Sequence, residues 1–558
     1  MPWSYQMDDY DSARESFRIE VPQRFNFGFD VVDGFARDRT KLALVWADAQ
    51  GKDIRKYTFW DVSAMSNKVA NSLKALGVKK GDRIFIMLPR VAEWYFILVG
   101  CHKLGAVVMP APTVLTHSDI EYRLRHGKAS VVITSVSHYA KVDEASRQIE
   151  ASFLSHRILV EGDVEGWTSF EHLMEQSSIH LSRDDVEPTD AGDPFIIYFT
   201  SGTTKYPKMV LHSMTYPLGH LRTAALWHDA KPTDLIWVLS DTGWAKAAWG
   251  LYGQWVLGAA IFVHNAGPKF YPRLTLKLLT SQGITVFCAP PTVYRVLILE
   301  DLSRFDFSGL RRCTSAGEPL NPEVIRAWKE ATGRIVRQGY GQTETTLLVG
   351  NYPCMPVKPG SMGRPVPDMT VDILDDDARP VPAGEVGNIA VKVIPKKAVG
   401  MFDGYLEDPE ENERVFRGEW YFTGDKAYSD SDGYLYFFGR ADDVIKSSAH
   451  RIGPFEVESV LQEHEAVAES AVVGSPDSMR GEIVKAFVVL APGYEPTQEL
   501  MRHIQEFVKV KTAPYKCPRE IEFVEELPKT ISGKIKRAVL KRIEIEKKLG
   551  KGYDTPRI

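Results

Sequence analysis

The chain has 558 residues, 44% of them apolar and 25% charged, with 68 basic and 73 acidic side chains and a formal charge of −5. That apolar content can bury a core, which excludes a disordered chain, and the length exceeds the ~250–300 residues at which single cores stop growing, so at least two folding units are expected. Cys101, Cys288, Cys313, Cys354 and Cys517 are odd in number, widely spread and without C-x-x-C spacing, which excludes a disulfide scaffold and points to thiols in a reducing compartment.

The longest apolar run, residues 247–263, is broken by Gln254 and falls short of a membrane span, which needs about 20 residues. The first residues, MPWSYQMDDYDSARESF, are acidic and carry no apolar stretch of signal-peptide type, so a cytoplasmic protein without membrane insertion is expected. Charge is uneven: residues 501–558 hold 15 Lys/Arg against 8 Asp/Glu, a local +7 that leaves −12 for residues 1–500. Such a basic end is either a solvated helix face or the meeting place for a polyanion, whether nucleic acid, membrane or a phosphorylated cofactor.

In chain order, residues 57–190 alternate amphipathic helices with short apolar strands: helix 61–76, strand 83–88, helix 92–104, strand 106–109. The alternation returns over 234–339, with strands near 236–239, 260–263, 286–289 and 334–338, which argues for two parallel α/β units in the first 340 residues. After about 351, Pro and Gly become frequent and short β runs at 370–374, 388–393 and 434–438 fit hairpins or a small barrel. The remainder reads helix 455–463, strand 469–473, strand 483–490, helix 498–510, strand 521–524, a compact α+β unit of about 115 residues, ample for a domain.

Four segments carry chemistry. In YFTSGTTKYPK (198–208) an apolar strand, 195–199, runs into a loop of hydroxyls, a glycine and two lysines, able to cradle phosphate oxygens although it lacks the Walker pattern; an ordinary Ser/Thr-rich turn is the other reading. In GYGQTET (339–345) the glycines permit tight turns, Tyr340 offers a flat face, and Glu344 is either a hard-oxygen ligand for Mg²⁺ or a helix cap. WYFTGD (420–425), followed by FGRADDVIK (438–446), places Asp425 after a strand, where a carboxylate holds a ribose diol or forms a turn. LPKTISGK (527–534) is a glycine turn with Lys534 at its tip.

In this order and spacing the four segments resemble the adenylate-forming superfamily of acyl-CoA synthetases, luciferases and peptide-synthetase adenylation domains, over about residues 25–539. LPRVAEWYFILVGCHKLGAVVMP (88–110), LSDTGWAKAAWG (239–250), SAGEPLNPEV (315–324), GRADDVIK (439–446) and IGPFEVES (452–459) are closer still to medium-chain acyl-CoA synthetases. The resemblance implies an α/β protein whose large N-terminal domain, residues 1–440, comprises two α/β subdomains and a small β-barrel-like subdomain. A small α+β lid domain, residues 441–558, follows, with a hinge at Asp442. It implies an AMP-forming carboxylic acid–CoA ligase: a carboxylate attacks the α-phosphate of Mg·ATP, and the thiol of coenzyme A then displaces AMP.

The same resemblance implies the site residues. Thr200, Ser201, Gly202, Thr203, Thr204, Lys205 and Lys208 would hold the β- and γ-phosphates. Thr343 would meet the α-phosphate, Glu344 the Mg²⁺, and Gly339, Tyr340, Gly341 and Gln342, with Gly317 and Glu318, would border adenine and substrate. Asp425 with Arg440 would hold the ribose, and Lys534 would bridge carboxylate and α-phosphate. After the lid swings, Arg451 would touch the nucleotide, Ser448, Ala449 and His450 would line the pantetheine channel, and Arg480 and Arg519 would face CoA. Nucleic acid and membrane are then no longer needed as partners of the basic end.

Two positions depart from the family pattern. Lys205 replaces a usual glycine, and either restricts loop closure or adds a phosphate-binding cation. Ala449 replaces another, and one extra methyl in a tight channel costs on the order of 1–3 kcal/mol if nothing relaxes. The acyl pocket is expected around Trp244, Lys246 and Trp249; at least one tryptophan is either plain core or a wall that shortens the pocket toward medium-chain, branched, cyclic or aryl acids. The alternative reading is a stand-alone adenylating enzyme that delivers acyl-AMP to a carrier protein.

Overall fold

A computed structural model describes residues 5–150, 153–200, 207–267, 269–448, 450–529 and 535–549. Strands such as Arg83–Met87 and Val131–Ser135 are apolar on both faces, as a parallel sheet covered on both sides requires, and every residue of Val131–Ser135 is buried. They sit in an eight-stranded sheet whose middle, Pro194–Thr200, Val107–Pro110, Arg83–Met87, Val131–Ser135 and His156–Val160, runs parallel. Helix Ala92–Leu104 buries every residue except Glu93, most of them in the largest core cluster, and stops at Gly105, which is left-handed at φ 70°.

The second sheet has nine strands, parallel through Leu42–Ala47, Ala260–His264, Leu235–Val238, Val286–Cys288, Arg312–Ser315 and Val336–Gln342. The two α/β units are therefore present but do not follow each other along the chain. Leu42–Ala47 and Ile54–Thr58, which precede the first unit, form one edge of the second sheet, while Lys208–Ser213 and Gly404–Tyr405 extend the first. An alternating or apolar run reports how a strand is buried and not which neighbour it pairs with, so this exchange is invisible to periodicity.

The expected small β unit is an antiparallel five-stranded sheet of Val371–Leu374, Gly387–Lys392, Trp420–Ser429, Phe416–Arg417 and Leu435–Arg440. A fourth sheet, from Ile445–Ser447 to Glu520–Phe523, carries helices Pro454–Leu461, Gln498–Lys511 and Arg537–Leu549 and has its own core around Val472, Val484 and Ile504. Helix Pro454–Leu461 packs beside strand Leu435–Arg440, and Asn321 Nδ2 donates to Ser459 O at 3.4 Å. Among the described residues no helix is long and apolar enough to cross a membrane. All five cysteines are free, and Cys101, Cys288 and Cys313 are buried.

Candidate active site

Strand Val336–Gln342 runs out of the second sheet and turns back through residues 343–345 into Thr346–Gly350. Glu344 therefore lies in a hairpin turn and not at a helix cap. The turn closes on itself, with Gln342 N donating to Thr345 Oγ1 at 3.1 Å and Thr346 at φ +62°. Gly341 is required there: a Cβ would sit 1.9 Å from Thr346 O and 3.0 Å from Trp249 Cη2.

The Glu344 side chain is buried, 8% exposed, and burial pushes its carboxyl up against the opposing pull of hydrogen bonds and Lys208. Tyr405 Oη donates to Glu344 Oε1 at 2.9 Å. Beneath the turn, His212 Nε2 donates to Thr343 O at 2.8 Å, and burial keeps this imidazole neutral by pulling its pKa down to about 3. Lys208, the register partner of Thr200, lies 5.0 Å from the Tyr405 ring centroid. Its ammonium pairs with Glu411, which is also forked by Arg414 at 2.6 and 2.7 Å. Lys208 thus has a fixed internal partner, beyond the phosphate role expected of it.

At the other side of the strand end, Tyr340 Oη and Gln342 Nε2 both donate to Asp425 Oδ2, at 2.7 and 2.8 Å. Gln342 Nε2 also donates to Thr423 O at 2.9 Å, and its Oε1 accepts from Tyr421 Oη at 3.0 Å. Asp425 is the register partner of Arg440; desolvation works against the Arg440 charge, but Asp425, Asp443 and Asp442 outweigh it. Gly317, at φ +109°, has open space where a Cβ would be, and Glu318 stands 3.6 Å from Arg295. Lys246 Nζ donates to Ala316 O at 2.8 Å beside them. Trp249 is buried, edge-on to Trp227 at 5.8 Å, and both rings face the Gly339–Gly341 backbone, whereas Trp244 is half-buried at the head of helix Ala245–Trp249.

Farther along the chain, Ser448 N donates to Arg480 O at 2.8 Å, His450 stacks on Tyr515 at 4.0 Å, and Arg519 N donates to Val484 O at 2.9 Å. Arg451 lies close enough to Asp376 and Lys426 to shift both, and Asp442 is exposed. Arg537, three residues beyond Lys534, is held by Glu458 at 2.6 and 3.0 Å and feels Glu318. Ser201, Gly202, Thr203, Thr204, Lys205, Ala449 and Lys534 lie outside the described residues. Tyr405, Glu411 and His212 lie outside the four segments, and Tyr421 lies inside WYFTGD without a role assigned there. Only Glu411 had a local signal, Asp-Pro-Glu-Glu at a helix start, and that signal names no partner.

A buried carboxylate on each side of one strand end, hydroxyl and amide donors beside them, and open space at Gly317 are the arrangement expected of an adenylate-forming enzyme. In agreement, the AMP-binding enzyme family matches residues 33–406, and the AMP-binding enzyme C-terminal domain matches residues 456–534. The chain belongs to the AMP-binding enzyme family. It is 44% identical over 548 residues to the rat (Rattus norvegicus) "Acyl-coenzyme A synthetase ACSM3, mitochondrial", covering 96% of this chain and 93% of the relative. It is likewise 44% identical over 535 residues to the human (Homo sapiens) "Acyl-coenzyme A synthetase ACSM5, mitochondrial", covering 94% and 91%. Of solved structures, the anthranilate CoA ligase AuaEII in complex with anthranoyl-AMP superposes with a TM-score of 0.86 at 33% identity, covering 94% of this chain and 98% of that one. The Brucella canis acyl-CoA synthetase gives 0.75 at 34% identity, covering 97% and 100%. Within the family, the chain is an AMP-forming acid–CoA ligase of the acyl-CoA synthetase branch.

The cytoplasmic expectation is overturned, because both of these curated relatives are mitochondrial proteins. The lack of an apolar secretory stretch bears on secretion and not on this compartment, because mitochondrial leaders are amphipathic and Arg-rich.

Proposed function

We propose that the chain activates a compact carboxylic acid at the Glu344–Asp425 site and transfers the acyl group to CoA there. The observation that carries this reading is the pair of carboxylates on one strand end, Glu344 held by Tyr405 and Asp425 held by Tyr340 and Gln342. Asp425 and Arg440 take the ribose, Tyr340 and the Gly317–Glu318 bend take the adenine, and Thr343 meets the α-phosphate. The stretch from Thr200 to Lys208 takes the β- and γ-phosphates, with Lys208 anchoring its far end through Glu411.

Among the described residues no three His, Cys, Asp or Glu side chains could hold a metal by themselves. One buried carboxylate that binds a cation jointly with phosphates is the usual protein contribution to Mg²⁺, so Glu344 fits that ion. Bound there, Mg²⁺ would offset charge on the phosphate oxygens. The substrate carboxylate attacks the α-phosphorus, the bond to pyrophosphate breaks, and Lys534 bridges carboxylate and α-phosphate as charge develops. Residues 441–558 then turn about Asp442, exchanging Lys534 for Ser448, Ala449, His450 and Arg451. The CoA thiol, with its nucleotide on Arg480 and Arg519, attacks the acyl carbon and AMP leaves. Trp249 and Trp227 standing against the Gly339–Gly341 backbone support a short branched, cyclic or aryl acid.

Pyrophosphate exchange into ATP and CoA thioester formation, measured over a panel of straight, branched and aryl acids, test this. Both are expected for the same compact acids; exchange without any thioester would favour delivery to a carrier protein instead. Lys534→Ala should lower exchange about 10²–10³-fold, the size of one lost transition-state donor, and thioester formation from supplied acyl-AMP much less.

A further inference from the structure

Tyr405 belongs to none of the recognised motifs, yet it touches both halves of the phosphate site. It sits on the two-residue strand Gly404–Tyr405, opposite Val210 of the strand that begins at Lys208. Its main chain is clamped on both sides by one amide: Tyr405 N donates to Asn412 Oδ1 and Asn412 Nδ2 donates to Tyr405 O, each at 2.8 Å. Phe402, three residues earlier, donates its N–H to Glu344 O at 2.8 Å and packs edge-on to the Tyr405 ring at 5.1 Å. The same short segment therefore grips Glu344 by main chain and by side chain. The hydroxyl donates to Oε1, so Oε2 lies outside this contact. A phenol is a neutral donor, so it orients the carboxylate without cancelling the charge a cation needs. Its ring meanwhile lies beside the Lys208 ammonium, tying that carboxylate to the phosphate-loop flank.

We propose that Tyr405 is a positioning residue that holds one oxygen of Glu344 and leaves the other facing the divalent cation of bound ATP. The proposal rests on Glu344 being the metal-binding carboxylate, so the experiment separates the two. Mn²⁺ is followed by electron paramagnetic resonance as it is titrated into full-length protein with ATP held below the protein concentration, against an ATP blank without protein and with no acid present, which reads the protein's contribution to metal affinity without turnover. Tyr405→Phe is expected to weaken Mn²⁺ about ten- to a hundredfold, the size of a hydrogen bond to a charged group, with the thermal midpoint nearly unchanged. In turnover assays the same variant should need correspondingly more Mg²⁺ and recover most of its kcat when Mg²⁺ is in excess, a rescue that general loosening of the fold would not produce. Asn412→Ala, which frees the Tyr405 main chain but keeps the hydroxyl, should shift the Mn²⁺ constant in the same direction. If Glu344→Gln weakens Mn²⁺ while both folded variants stay within about twofold of the parent, the positioning role is overturned. If Glu344→Gln leaves Mn²⁺ unchanged, the assignment of Glu344 itself fails.

Discussion

Glu411 is the residue on which two cations depend. Lys208 and Glu411 side chains are 8% and 10% exposed, and Arg414 forks the same carboxylate from the solvent side. Removing one member of a buried pair strands the other charge, which costs about 3–5 kcal/mol, far more than an exposed pair contributes. Glu411→Gln keeps the volume and removes the charge, so it should destabilise by about that amount in urea unfolding, and Glu411→Gln combined with Lys208→Met should recover much of it. A double variant as unstable as the single one would mean that Lys208 is held chiefly by its surroundings. The arrangement also explains how the lysine at the end of the expected phosphate loop is held in place by the protein itself.

Helix Phe59–Ala75 begins with a reciprocal cap: Asp61 N donates to Thr58 Oγ1 at 3.2 Å, and Thr58 N donates to Asp61 Oδ2 at 2.8 Å. Thr58→Ala removes half of it and should cost about 1 kcal/mol, read as a shift in urea midpoint with an unchanged slope. Thr58 is also the last residue of strand Ile54–Thr58, so the cap marks where the chain passes from one sheet to the helices of the other. Elements of this kind are legible in the sequence: the pattern of apolar residues gives helix Ala92–Leu104 to the residue and strands such as Arg83–Met87 within a residue. Strand partnership was not legible, because Leu42–Ala47 and Val107–Pro110 carry the same kind of burial signal and join different sheets. In the site, residues inside contiguous motifs such as Tyr340, Glu344 and Asp425 could be proposed from their neighbours. Tyr405 and His212 could not, because each lies outside those motifs and owes its role to a partner 60 or more residues away (61 and 131), being otherwise an ordinary aromatic or histidine in a strand.

Across the whole molecule, the interior between the first two sheets holds several histidines whose burial favours the neutral form. His212 and His228 are both pulled down to about 3 by desolvation, with Gln254 donating to His228 Nδ1 at 2.8 Å. An unfolded histidine titrates near 6.5, so below that pH the unfolded chain binds protons that the folded one refuses. Their contribution is complete above about pH 6.5 and is lost as pH falls toward 3, at about 1.4 kcal/mol per pH unit for each. The urea midpoint should therefore fall steadily from pH 7 to pH 5, and His228→Gln should flatten that slope. A midpoint independent of pH over this range would show that these imidazoles take up protons without unfolding the chain.

The exchange of strands between the first two sheets has a further consequence, in time. The first sheet receives Gly404–Tyr405 as an edge, and the second cannot seat Leu42–Ala47 until Ala260–His264 has been made. At about 5–20 residues per second, a ribosome needs about 20–80 s to reach residue 405. Until Ala260–His264 is made, Leu42–Ala47 has only Ile54–Thr58 on one side and an open edge on the other, and until residue 405 the first sheet is open at Lys208–Ser213. Such edges are templates for aggregation, and pairings of long sequence separation form slowly. The Glu344–Tyr405 contact is thus among the late events in the birth of the protein, and truncated chains that stop short of it should depend on chaperones.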